Sequence, residues 1–232
     1  MAFNIATLWA MLITWLATGR PHYVSQESGQ NIAFISDVGA DILKPLFVVT
    51  CCITAVCFVL SLVVERYLRH SGRLMPNMRT RERVLSSLAI LGSIIGGAGL
   101  ILLSIFDTKR HPTLHNCFLL VFIVGVALSA IFSILEFRWI SKDFQHVKRL
   151  KRSYRMKAVI AAILIALAIA FGVTLFTAAN VAAVLEWTIA FGYTFYLLTF
   201  YYDLRQSKGV HKGELNADRL KESPRYRVDQ AA

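Results

Sequence analysis

Four long stretches that are nearly free of charge constrain this chain more than any other feature. Residues 45–64, 84–106 and 116–135 are runs of 20, 23 and 20 residues without Asp, Glu, Lys or Arg. Between Lys157 and Asp203 lie 45 residues with a single charge, Glu186. About 20 apolar residues cross a bilayer core as a helix. One helix through the last block would run roughly 67 Å at 1.5 Å per residue, far beyond one bilayer. The block must fold back, and small residues around Asn180 permit a turn at 177–183. It therefore supplies two spans. Residues 2–17 add an apolar segment with Trp9 and Trp15 and no basic n-region before it, which reads as a first span rather than a cleaved signal. The expected fold is an all-α, polytopic membrane helix bundle of six spans over residues 1–204. The spans fall at about 2–18, 45–64, 84–106, 116–135, 158–177 and 184–202. After them comes a polar segment, 205–232, expected to be a disordered cytosolic tail.

Charge sets the expected orientation. Residues 148–157 read KRLKRSYRMK, six basic residues and no acid. Residues 136–157, which contain this stretch, the loop of residues 65–83 and the tail from Asp203 together hold 21 basic and 9 acidic residues, a balance of +12. The three alternate segments sum to −1, so the overall charge is +11. Positive residues in short loops stay cytosolic, and the alternation places both termini there. Charge that hugs the ends of apolar spans is a topology signal rather than a nucleic-acid groove, so nucleic acid is not an expected partner. Basic clusters beside spans also attract anionic lipids of the cytosolic leaflet. Arg79, Arg81 and Arg83, with Lys148, Arg149, Lys151, Arg152, Arg155 and Lys157, are the expected lipid-binding residues.

Within the spans, Gly92-xxx-Gly96 on the third and Gly125-xxx-Ser129 on the fourth predict close backbone packing, because helices in lipid associate through small residues. The segments at 61–67 and 133–139 both end in an acid, an Arg and an aromatic residue, a duplicated hairpin or an interface preference. The aromatic residues of the last span read as an interfacial belt. Cys51, Cys52, Cys57 and Cys117 read as packing thiols, although one cross-helix bridge is conceivable. All six histidines lie outside the predicted spans, which excludes haem held between helices. No GxSxG, HExxH or P-loop occurs. With Glu186 the one charge inside a span, a pump or channel is disfavoured. Asp107, His111 and His115, with His22, Asp37 and Asp41, share one end. His111 and His115 at i,i+4 suit zinc in principle, yet capping and loop contacts are the preferred reading, and no metal or cofactor is expected.

With these residues in hand, the chain resembles a family that contains the damage-regulated autophagy modulators (DRAM), the suppressor-of-four-kinase protein and the FRAG-type GPI-anchor remodelling factor, with a CWH-like N-terminal domain. The resemblance rests on residues 35–39, ISDVG, with Ser36, Asp37 and Gly39, followed by Pro45. It rests also on SIFDT at 104–108, with Asp107, His111 and His115, and on Glu136-Phe137-Arg138. Ala33-Phe34 stand where a Pro-aromatic pair is common. The resemblance implies a non-enzymatic six-span protein of the plasma membrane or of endomembranes such as Golgi, ER or vacuole. It further implies a regulator of lipid organisation, linked to phosphatidylinositol 4-kinase or to autophagy, with a lipid kinase complex as a partner. A GPI-anchor remodelling factor with a lumenal Asp/His site is the alternative, and a small-solute transporter the third reading.

Overall fold

A computed structural model describes residues 2–26, 28–77, 79–143 and 148–215. The described residues form helices joined by turns and by one longer loop after the first, with no strand among them. In chain order the helices are α1 (Ala2–Ala17), α2 (Ile35–Val38), α3 (Lys44–His70), α4 (Thr80–Ile105), α5 (Pro112–Asp143), α6 (Lys148–Thr174) and α7 (Ala179–Arg205). The last five are long and apolar enough to cross a membrane. At 16 residues, α1 runs only about 24 Å, slightly less than a bilayer core. The chain is thus a polytopic helical bundle of five full-length spans and one shorter apolar helix.

Local chemistry sets the helix ends. Pro45 occupies the first turn of α3, where a missing N–H costs nothing. Glu82 caps α4 by accepting a hydrogen bond from the Arg79 backbone N–H at 3.2 Å. The fold-back in the last apolar block falls at residues 175–178, and α7 starts earlier than the sequence predicts. Glu186 is therefore two turns inside α7 rather than in its first turn.

Packing follows residue size. Along α4, Gly92, Gly96 and Gly99 face the α5 backbone at Ser129, Gly125 and Phe122. A Cβ on Gly125 would stand 2.4 Å from the backbone nitrogen of Gly96, and one on Gly99 would stand 2.6 Å from that of Phe122. Only glycine allows this approach. Ser129 adds an interhelical bond, its hydroxyl donating to the Ala89 carbonyl at 2.7 Å. From this pair the helices pack in the order α3, α4, α5, α6, α7 and back to α3, with α1 against both α3 and α7. The opposite faces are apolar and exposed: Val49, Ile53, Val56, Leu60 and Val63 recur at helical spacing on α3. In water such a stripe would be a liability, and in a bilayer it is the lipid-facing surface.

Two clusters fill the interior. Near the α2 end, Leu8, Met11 and Trp15 pack on Ala33, Ile35, Val38 and Trp187. Toward the other end, Phe58 meets Tyr193, Tyr196 and Phe200 edge-on at 5.8–6.4 Å. This corrects the interfacial belt expected on the last span. Tyr193, Tyr196 and Phe200 are core, whereas Phe195, Tyr201 and Tyr202 on the other face are exposed. The segment after α7 also differs from the tail expected at 205–232. Residues 206–215 form turns whose Gly213 and Leu215 N–H groups bond the carbonyls of Ser71 and Gly72. Gly209 and Gly213, both at positive φ, make these turns possible. Residues 216–232 lie outside the described residues. The four cysteines are free thiols.

Candidate functional site

At one end of the bundle the family-like motif residues form a clamp. The loop between α1 and α3 carries α2, whose four residues are all buried. Asp37 holds the loop's shape: one carboxylate oxygen accepts from Ser25 at 2.5 Å and Thr108 at 3.4 Å, the other from the Phe34 N–H at 3.0 Å. Burial pushes the Asp37 carboxyl above its ordinary value, against those hydrogen bonds. Ser36 is buried beside it, and Gly39 leaves the room that the Phe47 ring takes. Helix α7 grips the same loop three times. Asn180 accepts from the N–H groups of Asn31 and Ile32, Glu186 from Ile35 N–H at 2.7 Å, and Trp187 donates to the Ala33 carbonyl at 3.0 Å.

The α4–α5 turn is fixed in a similar way. Asp107 pairs with Lys44 and accepts from the Arg110 N–H at 2.7 Å. Burial raises the Asp107 carboxyl, but the Lys44 hydrogen bond, the Arg110 N–H and both positive charges outweigh it and hold the group below its ordinary value. His115 is buried and its Nδ1 donates to the carbonyls of Leu103 and Phe106 at 2.9 and 3.0 Å. His111 is exposed, with its ring against Phe106. Asp107 and His115 thus serve the turn, and His111 stands apart. Among the described residues no three His, Cys, Asp or Glu side chains gather as metal donors.

The opposite, basic end holds a constellation that sequence reasoning missed. Glu65 and Arg69 from α3, Glu136 from α5, Lys157 from α6 and Asp203 from α7 are all buried there. Arg69 bonds Glu65 at 2.7 Å and lies 3.8 Å from Glu136. Lys157 lies 2.6 Å from Asp203 and 3.9 Å from Glu65, with its ammonium over the rings of Phe200 and Phe137. Asn77 donates to Glu136, Ser153 to Asp203, and Arg69 also to the Met75 carbonyl. Four helices are tied together by five charges.

This placement corrects the expected role of Lys157. It is fully buried and paired, so it cannot meet a lipid headgroup. Its apolar stem continues the α6 core face, and the helical period turns it inward while its basic neighbours turn out. The network also removes the ground for disfavouring a pump or channel, that Glu186 is the one charge inside. The sequence signal was present: Glu65, Glu136 and Asp203 sit where orientation alone calls only for cations, and Glu65 and Arg69 are spaced i,i+4. Arg79, Arg81 and Arg83 at the start of α4 are exposed, as are Lys151, Arg152 and Arg155 on α6. The guanidinium of Arg81 stacks on Trp139 at 3.6 Å, and Lys142 approaches the same ring at 4.6 Å. The side chains of Lys148 and Arg149 lie outside the described residues.

Comparison with known proteins agrees with the motif end. The family described as Frag1/DRAM/Sfk1/Cwh43P N-terminal domain matches residues 1–207. The chain is similar to Protein sfk1 of Schizosaccharomyces pombe, 29% identical over 197 residues that cover 85% of this chain and 57% of the relative. Protein SFK1 of Saccharomyces cerevisiae is 29% identical over 60% of this chain and 47% of its own length. The human DNA damage-regulated autophagy modulator protein 1 is 26% identical over 58% of this chain and 62% of its own. The chain therefore spans about half to three-fifths of the curated relatives it matches. No solved structure matches.

Proposed function

The chain belongs to the Frag1/DRAM/Sfk1/Cwh43P N-terminal domain family, and on that premise we propose that it is a non-enzymatic regulator of membrane lipid organisation. Its basic end faces the cytosol, by the charge asymmetry of its loops. There it gathers anionic lipids, phosphoinositides among them, at the plasma membrane or an endomembrane and presents them to a lipid kinase or to autophagy machinery. One observation carries this reading. The three acids at the span ends, Glu65, Glu136 and Asp203, are buried and matched by Arg69 and Lys157. The exposed Arg79, Arg81, Arg83, Lys151, Arg152 and Arg155 stand on the surface of the same end, where they attract headgroups. A neighbouring Lys or Arg contributes about 1 kcal/mol to anionic-lipid attraction near the surface.

The test is retention of phosphatidylinositol 4-phosphate by the protein in nanodiscs, compared with a variant carrying R79Q, R81Q and R83Q. Three charges predict a drop of about 100-fold at low salt, shrinking as salt screens the surface. Equal retention by both proteins at low salt would remove this reading.

A further inference from the structure

Between its helices the bundle leaves a partly open cavity of about 180 Å³. Every helix contributes to its wall. On α6 the lining runs from Ala161 to Phe171 and on α7 from Glu186 to Tyr196, each about 15 Å along the helix axis. The lined space, a slot, follows the axes of α6 and α7. Ala127, Ala161 and Ala168 keep it open where larger residues would close it.

The lining is mostly aliphatic and aromatic; several of its polar side chains are engaged, while the Tyr196 hydroxyl is buried with no hydrogen-bond partner. Thr7 and Thr50 bond each other at 2.9 Å, and Thr50 also bonds the Leu46 carbonyl. Asn4 donates to Thr194, and Glu186 accepts from Ile35. Buried water needs two to four polar partners, whereas apolar cavities of about 150 Å³ stay dry and take hydrocarbon. A polar solute would find few open partners, the Tyr196 hydroxyl among them. In a bilayer the abundant long, thin, apolar species is the lipid chain itself.

We propose that this slot holds a segment of one hydrocarbon chain of a membrane lipid, drawn from the surrounding leaflets and held between the helices. The observation is separate from the basic rim, because a chain site reads the tail and the rim reads the head. A zwitterionic lipid tests the slot alone, so failure of the headgroup reading leaves this result unaffected.

The probe is phosphatidylcholine with a diazirine partway along one acyl chain, reconstituted with the full-length protein, photolysed, and mapped by peptide mass spectrometry. Adducts are expected at the inward residues Ala127, Ile165 and Ala168 as well as at the outward Ile163 and Ile169. Filling the slot with Ala127→Leu and Ala168→Leu should cut inward labelling at least tenfold and leave outward labelling unchanged. Size-exclusion behaviour and thermal unfolding report that the filled variant is folded. If it is not, the single Ala168→Leu variant gives the same comparison. Labelling confined to outward residues would mark annular lipid only and overturn the proposal. So would inward labelling that survives filling, or inward labelling displaced by added sterol but not by excess unlabelled phosphatidylcholine.

Discussion

Substituting Lys157 separates the two roles that a basic residue can have at this end of the bundle. Its ammonium lies 2.6 Å from Asp203 and 3.9 Å from Glu65, over two phenyl rings, with no exposed surface. Lys157→Met keeps the apolar stem and removes only the charge. It leaves three buried carboxylates against one cation, Arg69. Breaking a buried ion pair by deleting one partner costs about 3–5 kcal/mol, because the other charge stays buried without compensation. For a chain of this length that is on the order of 10 °C in the unfolding midpoint. Lys151→Met and Arg155→Met, on the exposed face of the same helix, should each stay within about 0.5 kcal/mol. Adding Asp203→Asn to Lys157→Met should restore much of the loss, since it withdraws the carboxylate left alone. The measurement is thermal unfolding in detergent or nanodiscs, followed by tryptophan fluorescence. If Lys157→Met unfolds with the two surface variants, Lys157 belongs to the surface and the network argument fails.

Four further substitutions probe the rest of the scaffold. Gly125→Ala should cost about 3 kcal/mol, because its methyl meets the Gly96 backbone and no side chain can move aside. Gly172→Ala, with nothing within 4 Å, should unfold like the parent in the same assay. Asp107, held below the ordinary carboxylate value, contributes stability that is fully present above the unfolded carboxylate value and is lost as pH falls through the folded one. Asp107→Asn should therefore lose on the order of 1 kcal/mol near neutrality, Lys44 being partly exposed, and that difference should vanish in acid, as read from unfolding midpoints across a pH series. Trp187→Phe removes the bond to the Ala33 carbonyl and should cost about 1–2 kcal/mol. Its readout is faster proteolysis within residues 19–34, with cleavage elsewhere unchanged.

What could be read from the sequence was what depends on local composition. Span length, the fold-back between Lys157 and Asp203, and the basic bias of alternate loops each follow from a run of neighbouring residues. The small-residue spacing at Gly92, Gly96 and Gly125 likewise carries its own reason, since nothing larger fits between two helix backbones. What could not be read depends on rotation about a helix axis. Lys157 and Arg155 are two residues apart in one basic run, yet one is buried and the other exposed. Tyr196 and Phe195 are adjacent, and they too divide between core and lipid. The clamp on α2 lies beyond local reading as well, because Asn180, Glu186 and Trp187 come from about 150 residues downstream.

That sorting changes how the charge of the basic end is understood. In sequence its three segments sum to +12. The five groups of the network, three carboxylates and two cations, belong to those segments and carry −1 between them. What remains outside the network is therefore +13, more positive than the sequence count, and fewer acids stand among the exposed cations to offset them. Burial also separates the two jobs in space. The network uses its charges at short range inside the protein, where salt hardly reaches, while the rim acts across solvent within a Debye length of about 8 Å at physiological ionic strength. High salt should then weaken lipid retention and leave the unfolding midpoint of the bundle nearly unchanged. A midpoint that fell in step with retention would mean that one set of charges does both jobs.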